Sequence, residues 1–262
     1  VAAEDGRTIA LVGPSGRGKT TAARRLGAHF AYVSHETVAV DGDLSVQSYR
    51  KPLSVITDGR AHKEQIAPSD LGLRELPGAP LVLTALTLIE RQSDAAAPGA
   101  TVVDTIDAIC KMTPQISYLP ELPTALQYLA RLFDAIGAPT LVIYRDAVEL
   151  PALVSQMFAS PGLPAPSWTV PARSDRSGPW RATTYDDAIL VGGRACILRH
   201  GVVTALGPLG RLVWTQCLAG ASPDEIAAAA VAEFGEPDEG GVDRLIAGAL
   251  DDLNTHGLIE AR

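Results

Sequence analysis

The chain is short of cysteine, of aromatic residues and of basic charge, and each shortage excludes something. Cys110, Cys196 and Cys217 are its 3 cysteines in 262 residues. An odd, scattered set of this kind argues against a disulfide framework and against a clustered metal site, and it suits a reducing cytoplasm. Lys and Arg number 22 against 30 Asp and Glu, giving a net charge of −8 and a pI near 5.1. A nucleic acid held by its phosphates calls for a basic face, so this balance points to a small or peptidic substrate instead. No apolar run reaches membrane-spanning length, and the amino end lacks the basic-then-apolar pattern of a signal peptide. The expectation is a soluble, cytoplasmic globular protein with neither a membrane nor a nucleic-acid partner; a homo-oligomer is compatible with it.

What the chain does have is an apolar fraction of 47%, which over 262 residues supports one large or two ordinary domains. Val1 is not an initiator methionine and the first strand follows almost at once. A longer parent chain is therefore expected, with part of the site upstream.

The most specific local pattern runs from Gly13 through Pro14, Ser15, Gly16, Arg17, Gly18 and Lys19 to Thr20. Two glycines with four residues between them, then Lys and a hydroxyl residue, are the spacing of a phosphate loop. Thr8 to Val12 before it reads as a buried strand and Thr21 to Leu26 after it as a helix. In that setting backbone N–H groups and the positive helix end surround an anion. Gly13, Ser15, Gly16, Arg17, Gly18, Lys19, Thr20 and Thr21 are the expected nucleotide-binding residues. Lys19 would reach the outer phosphates of a nucleotide, and Thr20 would offer its hydroxyl to Mg2+. Without its flanks the same run is a glycine-rich turn.

Further along, Phe30 to Val33 reads as a second strand. Thr37 to Val40, Asp41-Gly42-Asp43 and Leu44 to Gln47 read as a hairpin, because Asp-Gly suits the positive φ of short turns. A hairpin here leaves no room for a crossover helix, so a mixed sheet is predicted rather than a doubly wound parallel one. Leu81 to Ile89 suits a central strand. One helix should pack through Val102, Val103, Ile106, Ile109 and Cys110, and another through Leu122, Ala125, Leu126, Leu129, Phe133 and Ile136, stopped by Gly137 and Pro139. A strand over Thr140 to Tyr144 and a short helix from Asp146 to Phe158 complete a first domain, residues 1–159.

Residues 160–180 carry Pro161, Pro164, Pro166, Pro171 and Pro179 with few aliphatic residues and read as a linker. In residues 181–262 three short strands are expected: Ala188 to Val191, Arg194 to Leu198, and Val202 to Leu206. Three helices follow: Leu209 to Leu218, one capped by Ser222 with Pro223 and Glu225, and Val242 to His256 ended by Gly257. A small sheet with three helices is winged-helix-like. Yet Arg181 to Arg262 holds 6 basic against 12 acidic residues, the wrong sign for DNA.

Phosphoryl transfer needs a base for the acceptor and a carboxylate for the metal. His35 and Glu36 are the catalytic candidates, because their segment leaves a strand next to the loop; Glu36 is also the candidate metal ligand beside Thr20. On an extended chain the two would point opposite ways, one to the phosphates and the other to the acceptor or the core. Glu90 and Asp146 also follow hydrophobic strands. Asp146 reads more simply as a helix N-cap with Glu149 completing a capping box, and Glu90 is left unassigned. Lys51 and Lys63 are candidate phosphate or substrate contacts, set against the ordinary reading of solvated surface lysines.

Gly13 to Thr21, Tyr32 to Val40, and Tyr49-Arg50-Lys51-Pro52-Leu53-Ser54 resemble the catalytic domain of the HPr kinase/phosphorylase family. The last run is similar to a pattern of the branch associated with peptide natural-product clusters, lasso-peptide kinases included. The resemblance covers roughly residues 1 to 158 and is strongest over the first 55. It implies ATP-dependent phosphorylation of a hydroxyl side chain on a protein or peptide. The family places an acid, its catalytic base, where this chain has His35, and retains the following acid as Glu36. An unperturbed histidine titrates near about pH 6.5; it accepts a proton but offers no negative charge to a hydrated metal. The alternative is a solvated or core-satisfied His35 in a nucleotide-binding peptide carrier or an impaired pseudokinase. The family also has a histidine upstream of the first strand, outside this sequence.

Gly192 to Leu206, Leu209 to Leu218, Gly220 to Ile226 and the last helix ending at Gly257-Leu258 resemble the PqqD family of peptide-recognition modules in ribosomal-peptide biosynthesis. An open sheet edge accepts an extended peptide as an added strand. The resemblance implies leader-peptide binding between the third strand, Val202, Val203, Thr204, Ala205 and Leu206, and the third helix, at Leu245 and Ala249. A packing or dimerisation domain is the alternative. Taken together, the expected fold class is α/β: a mixed-sheet, HPr-kinase-like phosphate-loop domain plus a small α+β PqqD-type domain. The expected function is a kinase that uses ATP and Mg2+ on a ribosomal precursor peptide captured through its leader.

Overall fold

A computed structural model describes residues 1–14, 18–56, 63–95, 97–160, 162–237 and 241–262, without the side chains of residues 56, 63 and 120. The chain is α/β and divides into two compact units, Val1–Gln115 with Leu132–Ala165, and Ile116–Arg131 with Pro166–Arg262.

In the first unit the order is β1 (Arg7–Val12), α1 (Lys19–Gly27), β2 (Ala39–Val40), β3 (Val46–Gln47), β4 (Leu53–Ile56), β5 (Lys63–Ile66), β6 (Val82–Arg91), β7 (Gly99–Val102) and α2 (Thr105–Met112). Then come α3 (Ala125–Ile136), which begins in the second unit, β8 (Thr140–Tyr144) and α4 (Leu150–Ala159). The main sheet is mixed, as expected, in the order β1-β6-β8-β7. β1 and β8 run parallel to β6, and β7 runs antiparallel to β8. β6 is central because Leu86 through Ile89 are all buried, on both faces of the sheet. Ile9, Leu26, Ile89, Val142, Leu150 and Val154 join strand, helix and α4 in one core.

Several local details differ from expectation. Phe30 to Val33 forms no ladder; only Ala31 bridges, to Ala2 and Arg74. The predicted β2-β3 hairpin exists, with Ala39 opposite Gln47, but the positive φ falls on Leu44 (69°) and not on Gly42. Backbone pairing from a third segment selects that geometry. The Leu44 carbonyl accepts the Leu83 N–H at 2.9 Å, and Val46 donates to Leu81, so the turn is held against the start of β6. Val102 belongs to β7, and α2 starts only after Asp104 caps the N–H groups of Ile106 and Asp107. Leu122 is exposed and precedes α3. Asp146 and Glu149 make the expected capping box ahead of α4.

In the second unit β9 (Trp168–Thr169), β10 (Trp180–Ala182), β11 (Asp187–Val191), β12 (Arg194–Arg199) and β13 (Val202–Leu206) precede α5 (Pro208–Leu218), α6 (Pro223–Phe234), α7 (Val242–Thr255) and β14 (Ile259–Ala261). The larger sheet is antiparallel, in the order β13-β12-β11-β9, and β10 pairs with β14. The proline-rich stretch is thus more than a connector, since its Trp168–Thr169 adds a strand to the β11 edge. Ala188, Ala195, Ile197 and Leu206 share a core with Trp214 of α5, Ile226 of α6, and Ile246 and Leu250 of α7. On the opposite face Ile189, Val191, Cys196 and Leu198 are buried as well. Residues 116–131 belong to this unit because Asp187, itself buried, accepts the N–H groups of Leu126 (2.7 Å) and Gln127 (3.0 Å) at the start of α3.

Candidate functional site

The phosphate-loop motif lies between β1 and α1, where Gly13 and Gly18 each meet a steric or backbone requirement. Gly13 is buried against β6: a Cβ there would come within 2.9 Å of the Ile89 side chain. Gly18 adopts φ 85° and caps α1 without a side chain, and the first turn of α1 holds no acid. Its leading N–H groups are therefore not neutralised from within the helix. The Lys19 ammonium reaches back across the loop to donate to the Gly13 carbonyl at 2.7 Å. Thr20 is half-buried and Thr21 exposed. Ser15, Gly16 and Arg17 lie outside the described residues.

His35 and Glu36 sit in a bend, and their side chains converge where an extended chain would have splayed them apart. The Ser34 hydroxyl donates to the Thr37 carbonyl across the bend. The His35 side chain is only 3% exposed, with Nδ1 at 2.8 Å from the Tyr32 hydroxyl and Nε2 at 3.7 Å from Glu36 Oε1. Burial lowers its pKa; Glu36 opposes that shift and Lys51 adds to it. The imidazole is thus neutral near pH 7. Glu36 is about half exposed and paired with the Lys51 ammonium. That hydrogen bond holds its carboxyl below the usual range, and the charges of Lys51 and Lys19 add to the effect. The structure therefore places Glu36 within the electrostatic reach of the phosphate-loop lysine.

Tyr32 organises this cluster. Its ring is buried with Leu53 and Leu73, and its hydroxyl donates to the Lys51 carbonyl at 3.2 Å while bonding His35. Burial raises its pKa to about 12. The Arg50 guanidinium lies 6.0 Å from the ring centroid and is paired with Glu75. The Tyr49 to Ser54 run thus fixes Lys51 from both sides, with Tyr49 N–H on the Val33 carbonyl and Leu53 fully buried.

Sequence reasoning missed Tyr32 and Tyr144 and left Glu90 without a role. Tyr144 is buried at the end of β8, and its hydroxyl comes within 3.9 Å of where a Cβ on Gly18 would sit. Glu90 follows Ile89, the neighbour of Gly13, and accepts the Gln92 amide at 2.8 Å. The available signal was an acid or a tyrosine at the carboxyl end of a hydrophobic strand next to the loop. Lys63 has no described side chain. Among the described residues no group of three or more His, Cys, Asp or Glu is arranged to hold a metal ion.

In the second unit β9 occupies one edge of the larger sheet, and β13 is the other. The two-residue turn at His200 (φ 50°) and Gly201 (φ 77°) makes Arg199 and Val202 the hydrogen-bonded flanking pair. By alternation Thr204 and Leu206 also bond to β12, and the N–H and C=O groups of Val203 and Ala205 face the open edge. Val202 is 63% exposed and Leu245 on α7 is 46% exposed, while Ala249, one turn further along, packs partly against the core. Leu206 is itself a core residue beside Ile246 and Leu250.

No family model and no curated protein matches this chain. Among solved structures it is similar to one described as TbiB1 in complex with the TbiA(beta) leader peptide, at 25% identity over 34% of this chain and 98% of that one. The TM-score is 0.23. No helix of the described residues is long and apolar enough to cross a membrane.

Proposed function

We propose that this protein is a peptide kinase: its first unit transfers the γ-phosphoryl group of ATP to a hydroxyl side chain, and its second binds the leader of a ribosomally made precursor. The observation that carries the kinase half is the ion pair of Lys51 with Glu36, whose carboxylate also feels the charge of Lys19 at the start of α1. An ionised, half-exposed carboxylate serves as acceptor for the proton of the attacking hydroxyl. The buried His35 is a positioning residue, clamped by Tyr32 and aimed at Glu36.

The donors present suit magnesium arriving with nucleotide, since Mg2+ is commonly held by one or two protein oxygens plus phosphates and water. Thr20 and Glu36 would hold it. The ion would supply charge neutralisation at the phosphates. Lys19 orients the outer phosphates, and the amide groups leading α1 face their charge.

For the peptide half, support comes from the PqqD resemblance and from the free backbone groups of Val203 and Ala205 on β13. An added strand would bond there, with Val202, Leu245 and Ala249 offering apolar contact. Covalent linkage of binding and catalytic units raises the local acceptor concentration.

Intact-mass analysis of a cognate precursor incubated with the full chain, ATP and Mg2+ tests both halves. A phosphate gained only with the leader intact, and lost with Lys19→Ala, is expected. Equal phosphorylation of a leaderless core overturns leader capture. The burial of His35 away from solvent favours a second reading, a nucleotide-binding peptide carrier. ATP binding without phosphate transfer, rescued by no precursor, would establish that instead.

A further inference from the structure

A cleft of about 470 Å³ in the second unit is lined by five arginines, Arg173, Arg176, Arg181, Arg199 and Arg262, with Glu260 the one acidic side chain among its lining residues. This concentration runs against its surroundings, because Arg181 to Arg262 holds 6 basic and 12 acidic residues. Half of those 6 basic residues line the one cleft.

Two of the five guanidiniums are neutralised. Arg176 donates through Nη2 to both oxygens of Glu225 at 2.7 and 2.8 Å, and Arg181 pairs with Glu260 at 2.7 Å. The other three are held by neutral groups. Arg173 lies over the Tyr185 ring, 4.5 Å from its centroid. Arg199 donates through Nε to the Thr184 carbonyl at 3.2 Å, which leaves its terminal nitrogens for another acceptor. Arg262 donates to the Ser177 hydroxyl, and its backbone N–H is fixed on the Pro179 carbonyl at 3.0 Å. The β10-β14 ribbon holds Arg181 and Arg262 in register, with Trp180 opposite Ala261. Close packing fixes the Arg176 loop: a Cβ on Gly220 (φ 70°) would lie 2.1 Å from the Arg176 carbonyl oxygen.

We propose that this cleft is a binding site for a phosphoryl group. Three guanidinium charges with no acidic side-chain partner match a dianion with three terminal oxygens better than a single carboxylate, and a concave site focuses their field. Hydroxyl groups of Ser174 and Thr184 in the lining supply further donors, while that of Thr183 is already given to the Gly257 carbonyl at 2.8 Å. Trp180 offers a flat apolar wall to whatever carries the phosphate. The bearer is either a phosphorylated peptide or a nucleotide. The site is separate from the Lys19 loop and stands or falls independently of it.

Calorimetric titration of the full chain with pyrophosphate tests this, using Lys19→Ala as background so that the loop does not contribute. Saturable binding is expected in Lys19→Ala. Adding Arg173→Gln and Arg199→Gln should weaken it by about tenfold or more. The Arg173→Lys, Arg199→Lys pair keeps the charge without the fork and should fall between, with an unchanged melting temperature showing that folding is intact. Displacement by a phosphoserine peptide identifies a peptide source, and displacement by ADP a nucleotide source. No saturable binding, binding indifferent to both arginine pairs, or displacement by neither phosphoserine peptide nor ADP overturns the site. Equal displacement by the peptide with glutamate in place of phosphoserine overturns the preference for phosphoryl groups.

Discussion

His35 Nε2 lies 3.7 Å from Glu36 Oε1, on the far side of the ring from its 2.8 Å bond with Tyr32. A histidine so enclosed is neutral in the fold, because burial outweighs the attraction of Glu36. Its folded pKa is therefore below its unfolded value of about 6.5. Below about pH 6.5 the unfolded chain takes up the proton first, so stability is full above that pH and declines as pH falls toward the folded value. Melting temperatures across pH 7 to 5 should fall more steeply in the wild type than in His35→Gln. Parallel curves would show that His35 carries none of the dependence.

Glu36→Gln keeps the shape of the site and removes its charge. If Glu36 accepts the proton of the attacking hydroxyl, phosphoryl transfer should drop by about 10²- to 10⁴-fold even at saturating ATP and Mg2+. His35→Gln should cost less, since the ring only positions Glu36. Single-turnover rates with saturating ATP separate the two; a larger loss in His35→Gln would reverse the assigned roles.

Asp187 is 4% exposed and receives the Leu126 N–H at 2.7 Å, the Gln127 N–H at 3.0 Å and the Gln127 side-chain amide at 2.7 Å. It caps α3 from a distant strand. Asp187→Ala leaves a buried helix terminus without its acceptor and should destabilise by about 2 to 4 kcal/mol. Asp187→Asn keeps one acceptor oxygen and should cost less. Urea unfolding of both variants measures the difference, and equal losses would mean that a neutral amide oxygen cannot stand in for the carboxylate.

Ala205 turns its N–H to the open edge of β13, so Ala205→Pro removes a donor to an added strand without breaking the bonds to β12. Leader affinity should fall about tenfold or more, with little change in melting temperature. Fluorescence anisotropy of a labelled leader gives the readout. Unchanged affinity would place peptide binding somewhere other than this edge.

Gly220 holds φ 70° beside the Arg176 carbonyl, where no side chain fits. Gly220→Ala should destabilise the second unit by about 1 to 3 kcal/mol and loosen the arginine cleft with it. Hydrogen exchange confined to residues near 173–181 would report that loosening; exchange spread evenly over the unit would not fit.

Local signals carried much of this architecture. Ser222 with Glu225, and Asp146 with Glu149, announce their helix starts because a capping box is chemistry within four residues. The strands Thr140–Tyr144 and Val202–Leu206 stand out by apolar pattern and bounding turns. The β9, β10 and β14 strands had no such signal. Each is two or three residues long, and Trp168–Thr169 is extended only because β11 offers it an edge. Leu44 rather than Gly42 takes the positive φ for the same kind of reason, since β6 supplies its partner.

The phosphate-loop spacing, the adjacency of His35 and Glu36, and the third strand of the second unit with its two-residue turn are all written in residues close together in the chain. These are properties of neighbours, legible from residue type and spacing. Tertiary structure alone decided that Lys51 and Lys19 act on Glu36, that Tyr32 locks His35 away from solvent, and that five arginines scattered from 173 to 262 share one cleft. The physical reason is the same in each case. Charge interactions and burial depend on distance through space, and chain folding brings together groups whose separation in sequence carries no trace of it.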